Sequence, residues 1–220
     1  MGRVTRRSRP RAVLFDLDGT LLDSAELIIA AFQETCRSLL HREIPREAIL
    51  RDWARPIRER FRALAPERDE ALSQEYLRRY LALHSGWARL FPGVEETLEA
   101  LRGRGYAMAI VTSKRRATTQ AARDAFGLDR WCSVVIADED VARHKPDPEP
   151  VRAASERLGV RPEETLMVGD TPLDIASGGR AGAATAAALW GTVDADALRR
   201  ARADHELARP ADLLVLCPAR

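Results

Sequence analysis

Short apolar runs alternate with stretches of helical periodicity along most of this chain, and that alternation admits few folds. Strands are expected at residues 12–16, 107–112, 133–137, 165–169 and 184–189, with 213–216 as a further candidate, and helices at 93–103, 116–126, 149–158 and 172–181. Glycines stand at or just past the expected helix ends, at Gly103 and Gly105, Gly127, Gly159 and Gly182, where left-handed backbone closes a helix without steric cost. Strands that are apolar throughout, each followed by a helix, are buried on both faces. The expectation is an α/β, Rossmann-like parallel sheet covered by helices on both sides.

Between residues 23 and 88 the alternation stops and only helical periodicity remains. Leu27, Ile28, Ala31, Phe32 and Leu39 make one apolar stripe, and Leu72, Tyr76, Tyr80 and Leu83 another. About 65 residues between the first and second strands far exceeds the usual connection of roughly 2–6. An inserted all-helical unit is therefore expected at 23–88, with 11–22 and 89–220 forming the α/β core. Pro92-Gly93 marks the return to the core, and the stretches near 19–24 and 86–92 are the expected hinges.

The first apolar run ends in Asp16-Leu17-Asp18-Gly19-Thr20. Side chains two apart on a strand point to one side, so both carboxylates share a small volume in which a divalent cation could neutralise them. The pair suits phosphoryl transfer, one carboxylate attacking phosphorus and the other moving a proton. Gly19 and Thr20 let the backbone turn sharply and approach an anion. Thr112 and Asp170 end two further runs, and open sheets of this type bind ligands at the carboxyl ends of their strands. Taken singly, Asp170 before Thr171-Pro172 could simply begin a helix, and Thr112 could be a half-buried strand residue. Together with Asp16 they point to one site.

Composition singles out two more residues. Lysine occurs only at Lys114 and Lys145 among 35 basic residues. Where arginine has replaced lysine almost everywhere, a surviving lysine marks either chance or a need for a compact point charge in place of a planar fork. Both follow apolar runs.

Four segments in order carry a resemblance to a known family. They are Asp16-Leu17-Asp18-Gly19-Thr20-Leu21; Thr112 closing Ile110-Val111-Thr112; Lys145 in Lys145-Pro146-Asp147-Pro148-Glu149-Pro150; and Gly169-Asp170-Thr171-Pro172-Leu173-Asp174. They resemble the motifs of haloacid dehalogenase superfamily hydrolases of the phosphoglycolate phosphatase and pyrophosphatase-like branch, over roughly residues 11–217. The resemblance implies an aspartyl phosphate formed on Asp16, with Asp18 as acid and base, Thr112 on a phosphoryl oxygen and Lys145 neutralising Asp16 and the phosphate. It implies Mg²⁺ on Asp16, the backbone carbonyl of Asp18, and Asp170. Asp174 then holds a metal-bound water or Lys145, or merely caps its helix. Gly19, Thr20, Ser113 and Lys114 are implied in substrate binding.

The helical insertion becomes a C1-type cap, whose Arg55 and Arg58 either grip a second anionic group or face solvent. Relatives carry glycine near this point, and this chain does not. The implied activity is that of a Mg²⁺-dependent phosphatase acting on a small phosphorylated metabolite, in the manner of phosphoglycolate phosphatase. The same motifs serve inorganic pyrophosphatases and β-phosphoglucomutase-like sugar phosphomutases, and a non-catalytic ligand-binding protein is the remote alternative. Residues 23–88 contain no lysine for Schiff-base chemistry, and Asp18 argues against carbon–halogen dehalogenases.

A net charge of +2 gives no strong electrostatic preference, and no nucleic-acid partner is expected. Arg3, Arg6, Arg7 and Arg9 have no interleaved aromatics, so residues 1–10 read as a disordered basic tail. Cys36, Cys132 and Cys217 are odd in number and widely spaced, which suggests neither a disulfide framework nor a zinc site. No apolar run approaches the roughly 20 residues that span a bilayer, and the first residues have no apolar signal core. A cytoplasmic monomer or homodimer is expected.

Overall fold

The computed structural model describes residues 9–53 and 55–219. The expected basic tail lies mostly outside the described residues; near the start of those described, the Arg11 backbone N–H donates to Glu164 O at 2.6 Å. Eight strands are described: β1 (Ala12–Phe15), β2 (Leu22–Asp23), β3 (Arg89–Leu90), β4 (Ala107–Val111), β5 (Val134–Ile136), β6 (Thr165–Gly169), β7 (Ala184–Ala188) and β8 (His205–Leu207). Ten α-helices accompany them: α1 (Ala25–Leu40), α2 (Arg46–Arg51), α3 (Ile57–Leu64), α4 (Asp69–Trp87), α5 (Val94–Gly103), α6 (Arg116–Phe126), α7 (Glu149–Arg157), α8 (Pro172–Ala181), α9 (Ala195–Arg200) and α10 (Leu213–Leu216).

Six strands pair in parallel in the order β5-β4-β1-β6-β7-β8. Leu14 of β1 lies between Ala109 of β4 and Met167 of β6, and β1 and β6 are buried along their whole length. From β1 the chain builds outward through β4 and β5 on one side, then crosses back to build β6, β7 and β8 on the other. Connections leaving neighbouring strands in opposite directions open a crevice above the carboxyl ends of β1, β4 and β6. One apolar cluster, with Phe15, Leu98, Met108 and Val168, fills one side of the sheet, and another, with Leu14, Val111, Val151 and Met167, the other.

The last strand corrects the sequence reading. Residues 213–216 form helix α10, and the sixth strand is β8, which pairs with β7 through Ala186–His205 and Ala188–Leu207. A short apolar run does not by itself distinguish strand from helix. Here Leu213 and Cys217, four apart, are buried while Val215 is 82 % exposed, which is helical spacing. β8 was invisible because, as an edge strand, it exposes His205 and Glu206 and contains no apolar run.

Helices α1 to α4 fill residues 25–87 and bury a cluster of their own, including Leu27, Phe32, Phe61, Leu72 and Tyr80. Phe32 stacks on Phe61 with centroids 4.8 Å apart, and Tyr76 meets Phe61 edge-on at 5.9 Å. The stretches read as hinges pair with each other: β2 and β3 form a short antiparallel ribbon, reinforced by Arg89 and Asp23 at 2.8 Å. The helical unit rests on the core where α4 meets α6, with His84 5.8 Å from Phe126.

Candidate active site

Asp16 follows β1, Thr112 follows β4 and Asp170 follows β6, so three adjacent strands deliver these side chains to the crevice. The backbone continues the sheet on both sides, Asp16 N–H donating to Val168 O and Thr112 N–H to Ile136 O, each at 2.9 Å. All three side chains are buried.

After Asp16 the chain turns within six residues, with the N–H groups of Leu21 and Leu22 both returning to Leu17 O. Gly19 permits the turn for two reasons. Its φ is +83°, and a Cβ there would lie 2.2 Å from Asp170 Oδ2. Thr20 Oγ1 donates to Asp170 Oδ1 at 3.0 Å. The turn is braced from behind: Trp190 Nε1 donates to Thr20 O at 2.9 Å, and a Cβ on Gly191 would fall 1.9 Å from Gly19 O. The sequence motifs did not disclose this bracing, since a Trp-Gly pair so far along the chain carries no local sign of what it touches.

Lys145 reaches in from the loop before α7. Its Nζ donates to Asp16 Oδ1 at 2.7 Å, Asp174 Oδ1 at 2.5 Å and Val111 O at 3.2 Å. Asp174 does two of the things its position allows. Oδ1 accepts from Lys145 while Oδ2 accepts from Thr171 N–H and Oγ1, closing the capping box of α8.

Carboxylate oxygens of Asp16, Asp170 and Asp174 lie within 4.8 Å of one another. Three acids against one ammonium leave excess negative charge in a dry place. Burial pushes the Asp16 carboxyl up to about 7 against the pull of Lys145, and burial with its acidic neighbours raises Asp170 well above the usual carboxylate range. Burial alone would lower Lys145, but Asp16 and Asp174 outweigh it and hold its pKa above the ordinary value. Asp170 Oδ2 is buried without a hydrogen-bond partner. An acidic set with an orphaned oxygen fits a divalent cation, because a cation supplies both the missing charge and the missing partner.

Asp18 stands apart from this triad. Its carboxylate accepts from Lys114 Nζ at 2.7 and 3.0 Å and from Ser24 Oγ at 2.6 Å. Lys114, read from sequence as a substrate contact, lines the cavity and also pairs with Asp18, and its ammonium sits 4.1 Å above the Tyr80 ring of α4. Thr112 Oγ1 accepts from Lys114 N–H at 3.2 Å.

These groups open onto a cavity of about 130 Å³ roofed by the helical unit, with Asp16, Asp18, Thr112, Ser113 and Lys145 below. Arg55 and Arg58 reach its wall but are about half exposed and already face acids: Arg55 with Asp52 at 3.7 Å and Glu59 at 4.0 Å, Arg58 with Glu70 at 3.5 Å and Asp69 at 3.8 Å. The arginine that sequence reading passed over is Arg60, which lines the same wall and is buried. Ile57, Arg60, Phe61 and Leu64 follow the i, i+3, i+4, i+7 spacing of a buried stripe. A charge on that stripe was the available signal.

A parallel sheet with a buried acidic pocket and its single lysine at the switch point, roofed by inserted helices, defines a capped hydrolase with an α/β core. Residues 13–188 match the family model described as haloacid dehalogenase-like hydrolase, and the chain belongs to that family. It is similar to the pyrophosphatase PpaX of Halalkalibacterium halodurans, at 38% identity over 202 residues covering 92% of this chain and 94% of that protein. Among solved structures it is similar to CbbY from Rhodobacter sphaeroides in complex with phosphate, at TM-score 0.84, 26% identity and coverage of 94% and 99% of the two chains. A structure described as a predicted phosphoglycolate phosphatase from Haemophilus somnus gives TM-score 0.83 at 25% identity, covering 96% and 99%. The chain stands with the phosphatases of its family. Among the described residues no helix is long and apolar enough to cross a membrane.

Proposed function

We propose that this protein is a Mg²⁺-dependent phosphatase that hydrolyses a small phosphorylated metabolite through an aspartyl phosphate on Asp16. The observation that carries the reading is the position of Asp16: it ends the central strand at the switch point, within 2.7 Å of Lys145 and inside the acidic triad. Asp16 Oδ attacks phosphorus, and the bond from phosphorus to the leaving oxygen breaks in line. Asp18, facing the same cavity from outside the triad, gives a proton to that oxygen. It then takes one from the water that cleaves the acyl phosphate. Lys145 and the Thr112 hydroxyl stabilise the transferring phosphoryl oxygens. Asp16, Asp170 and the backbone carbonyl of Asp18 are the proposed Mg²⁺ ligands, with Asp174 orienting Lys145. When bound, the ion neutralises charge on Asp16 and the phosphoryl group.

The named activities of the relatives offer two substrates for this chain, phosphoglycolate and pyrophosphate. Pyrophosphate is favoured by the 38% identity to PpaX over nearly the whole chain. Phosphate release from both, from sugar phosphates and from nucleotides, with and without Mg²⁺ and with Asp16→Asn as the blank, tests the reading. Mg²⁺-dependent turnover lost in the blank is expected. Turnover that survives in Asp16→Asn would exclude the covalent route, and dependence on a sugar bisphosphate activator would indicate a mutase.

A further inference from the structure

Arg60 is a buried charge that no acid pairs with directly among the described residues, Asp52 acting on it only from beyond ion-pair distance. Its Nε donates to Arg55 O at 3.0 Å and its Nη2 to Trp53 O, so the side chain grips both ends of the turn that walls the cavity. That bracing occupies two of the three nitrogens. Nη1 is buried and has no hydrogen-bond partner, and no carboxylate among the described residues lies within ion-pair distance of the guanidinium. The Trp53 ring covers it at 5.7 Å, and burial pulls its pKa down to about 10, still well above neutrality. An arginine offers five N–H donors and stays ionised. A buried donor left without an acceptor is costly. Arg55 and Arg58, by contrast, are exposed and face acids of nearby helical segments, Asp52 and Glu59 for the first and Asp69 and Glu70 for the second.

We infer that Arg60 is the specificity-determining contact of the cap, its unpaired Nη1 receiving a second anionic group of the substrate at the end remote from the phosphoryl group held over Asp16. Ile28, Trp53, Ser73 and Tyr76 line the cavity with it, so this half is a mainly apolar enclosure in which a charge-assisted contact is strong. The substrate is then a small molecule with anions at both ends, the second being a carboxylate or another phosphoryl group. This rests on the reading of the cavity as the substrate site of a phosphatase.

Binding of non-hydrolysable phosphonates to the Mg²⁺-loaded protein, followed by calorimetry, tests the assignment without turnover. Methylphosphonate carries one anionic end; phosphonoacetate and methylenediphosphonate carry two, and the two distinguish carboxylate from phosphoryl recognition. The wild type is expected to favour one two-ended probe over methylphosphonate by at least tenfold. Arg60→Gln should remove most of that preference, and Arg60→Lys, which keeps the charge but cannot grip two carbonyls, should keep it within about threefold. A wild type without preference overturns the inference, as does a preference untouched in Arg60→Gln. Equal losses in Arg60→Lys and Arg60→Gln would reduce Arg60 to bracing the turn. Failure of the phosphatase reading looks different: two-ended probes bind through Arg60, but neither pyrophosphate nor any phosphate ester turns over.

Discussion

The floor of the cavity and its roof are built on opposite terms. On the floor the charged groups stand at strand ends, in the loops beside them or, for Asp174, in the first turn of α8, and Lys145 ties Asp16 to Asp174 with contacts of 2.7 and 2.5 Å. In the roof the arginines are numerous, yet Arg55 and Arg58 are exposed and face acids on nearby helical segments, and among the described residues only Arg60 is a buried arginine. A sheet fixes side chains at its strand ends through hydrogen bonds to neighbours on both sides. A four-helix insertion joined by a two-stranded ribbon holds its residues through its own apolar cluster. On the proposed mechanism, the difference assigns bond-breaking chemistry to the strand ends of the sheet and choice of substrate to the separately cored helices.

The sharpest way to break this contrast is to exchange its consequences. Asp16→Asn should lower kcat by about a thousandfold or more, whereas Arg60→Gln should raise KM more than it lowers kcat. Steady-state phosphate release decides this, and equal kcat losses would erase the distinction.

Lys145→Met comes next. It leaves Asp16 and Asp174 buried without their cation, and losing one partner of a buried pair costs about 3–5 kcal/mol. Denaturant unfolding in a chelator should show that loss, and Mg²⁺ should recover part of it. A roof substitution of comparable size is Phe61→Ala, which vacates the stack with Phe32 and the edge contact with Tyr76 at a cost of about 3 kcal/mol or more. If the roof has its own core, that loss should appear as earlier melting of helical signal with the near-ultraviolet signal of Trp131 and Trp190 retained.

A smaller effect separates the two regions by pH. Asp16 has a higher pKa folded, about 7, than its ordinary value of 3.8, so the native state holds the proton more tightly. Native stability from this group is therefore present at low pH and lost as pH rises from about 4 to about 7. In chelator, Asp16→Asn should gain on wild type between pH 5 and pH 8, by about 1.4 kcal/mol per pKa unit at most, and added Mg²⁺ should close the gap. The smallest effect belongs to Tyr80→Phe in the roof. The Tyr80 hydroxyl is buried without a partner, so its removal should leave stability within about 0.5 kcal/mol or raise it slightly.

Much of the floor was legible before any coordinate. Asp16, Thr112 and Asp170 announce themselves because a strand end is a local event, and the residues that follow an apolar run must emerge there; Lys145 shows itself as one of two lysines among 35 basic residues. The inserted helices were legible for the same reason, through stripes such as Leu27, Ile28, Ala31 and Phe32. What escaped depends on partners far along the chain. Lys114 meets Asp18 across 96 positions, and Trp190 meets Thr20 across 170. The edge strand at His205–Leu207 exists because β7 offers it a ladder, and the apolar run at Leu213–Leu216 became a helix because it packs against α5.

By itself, then, the sequence determined the alternating layers, the inserted helices and the residues that end the central strands, since these follow from periodicity and backbone geometry within a few residues. Only the tertiary structure decided which charges find partners: that Asp18 turns to Lys114, that Asp170 keeps an unanswered oxygen, and that one arginine among many, Arg60, is buried without an acid beside it. Pairing is a property of three-dimensional neighbours, and a buried charge matters in proportion to the neighbours it lacks.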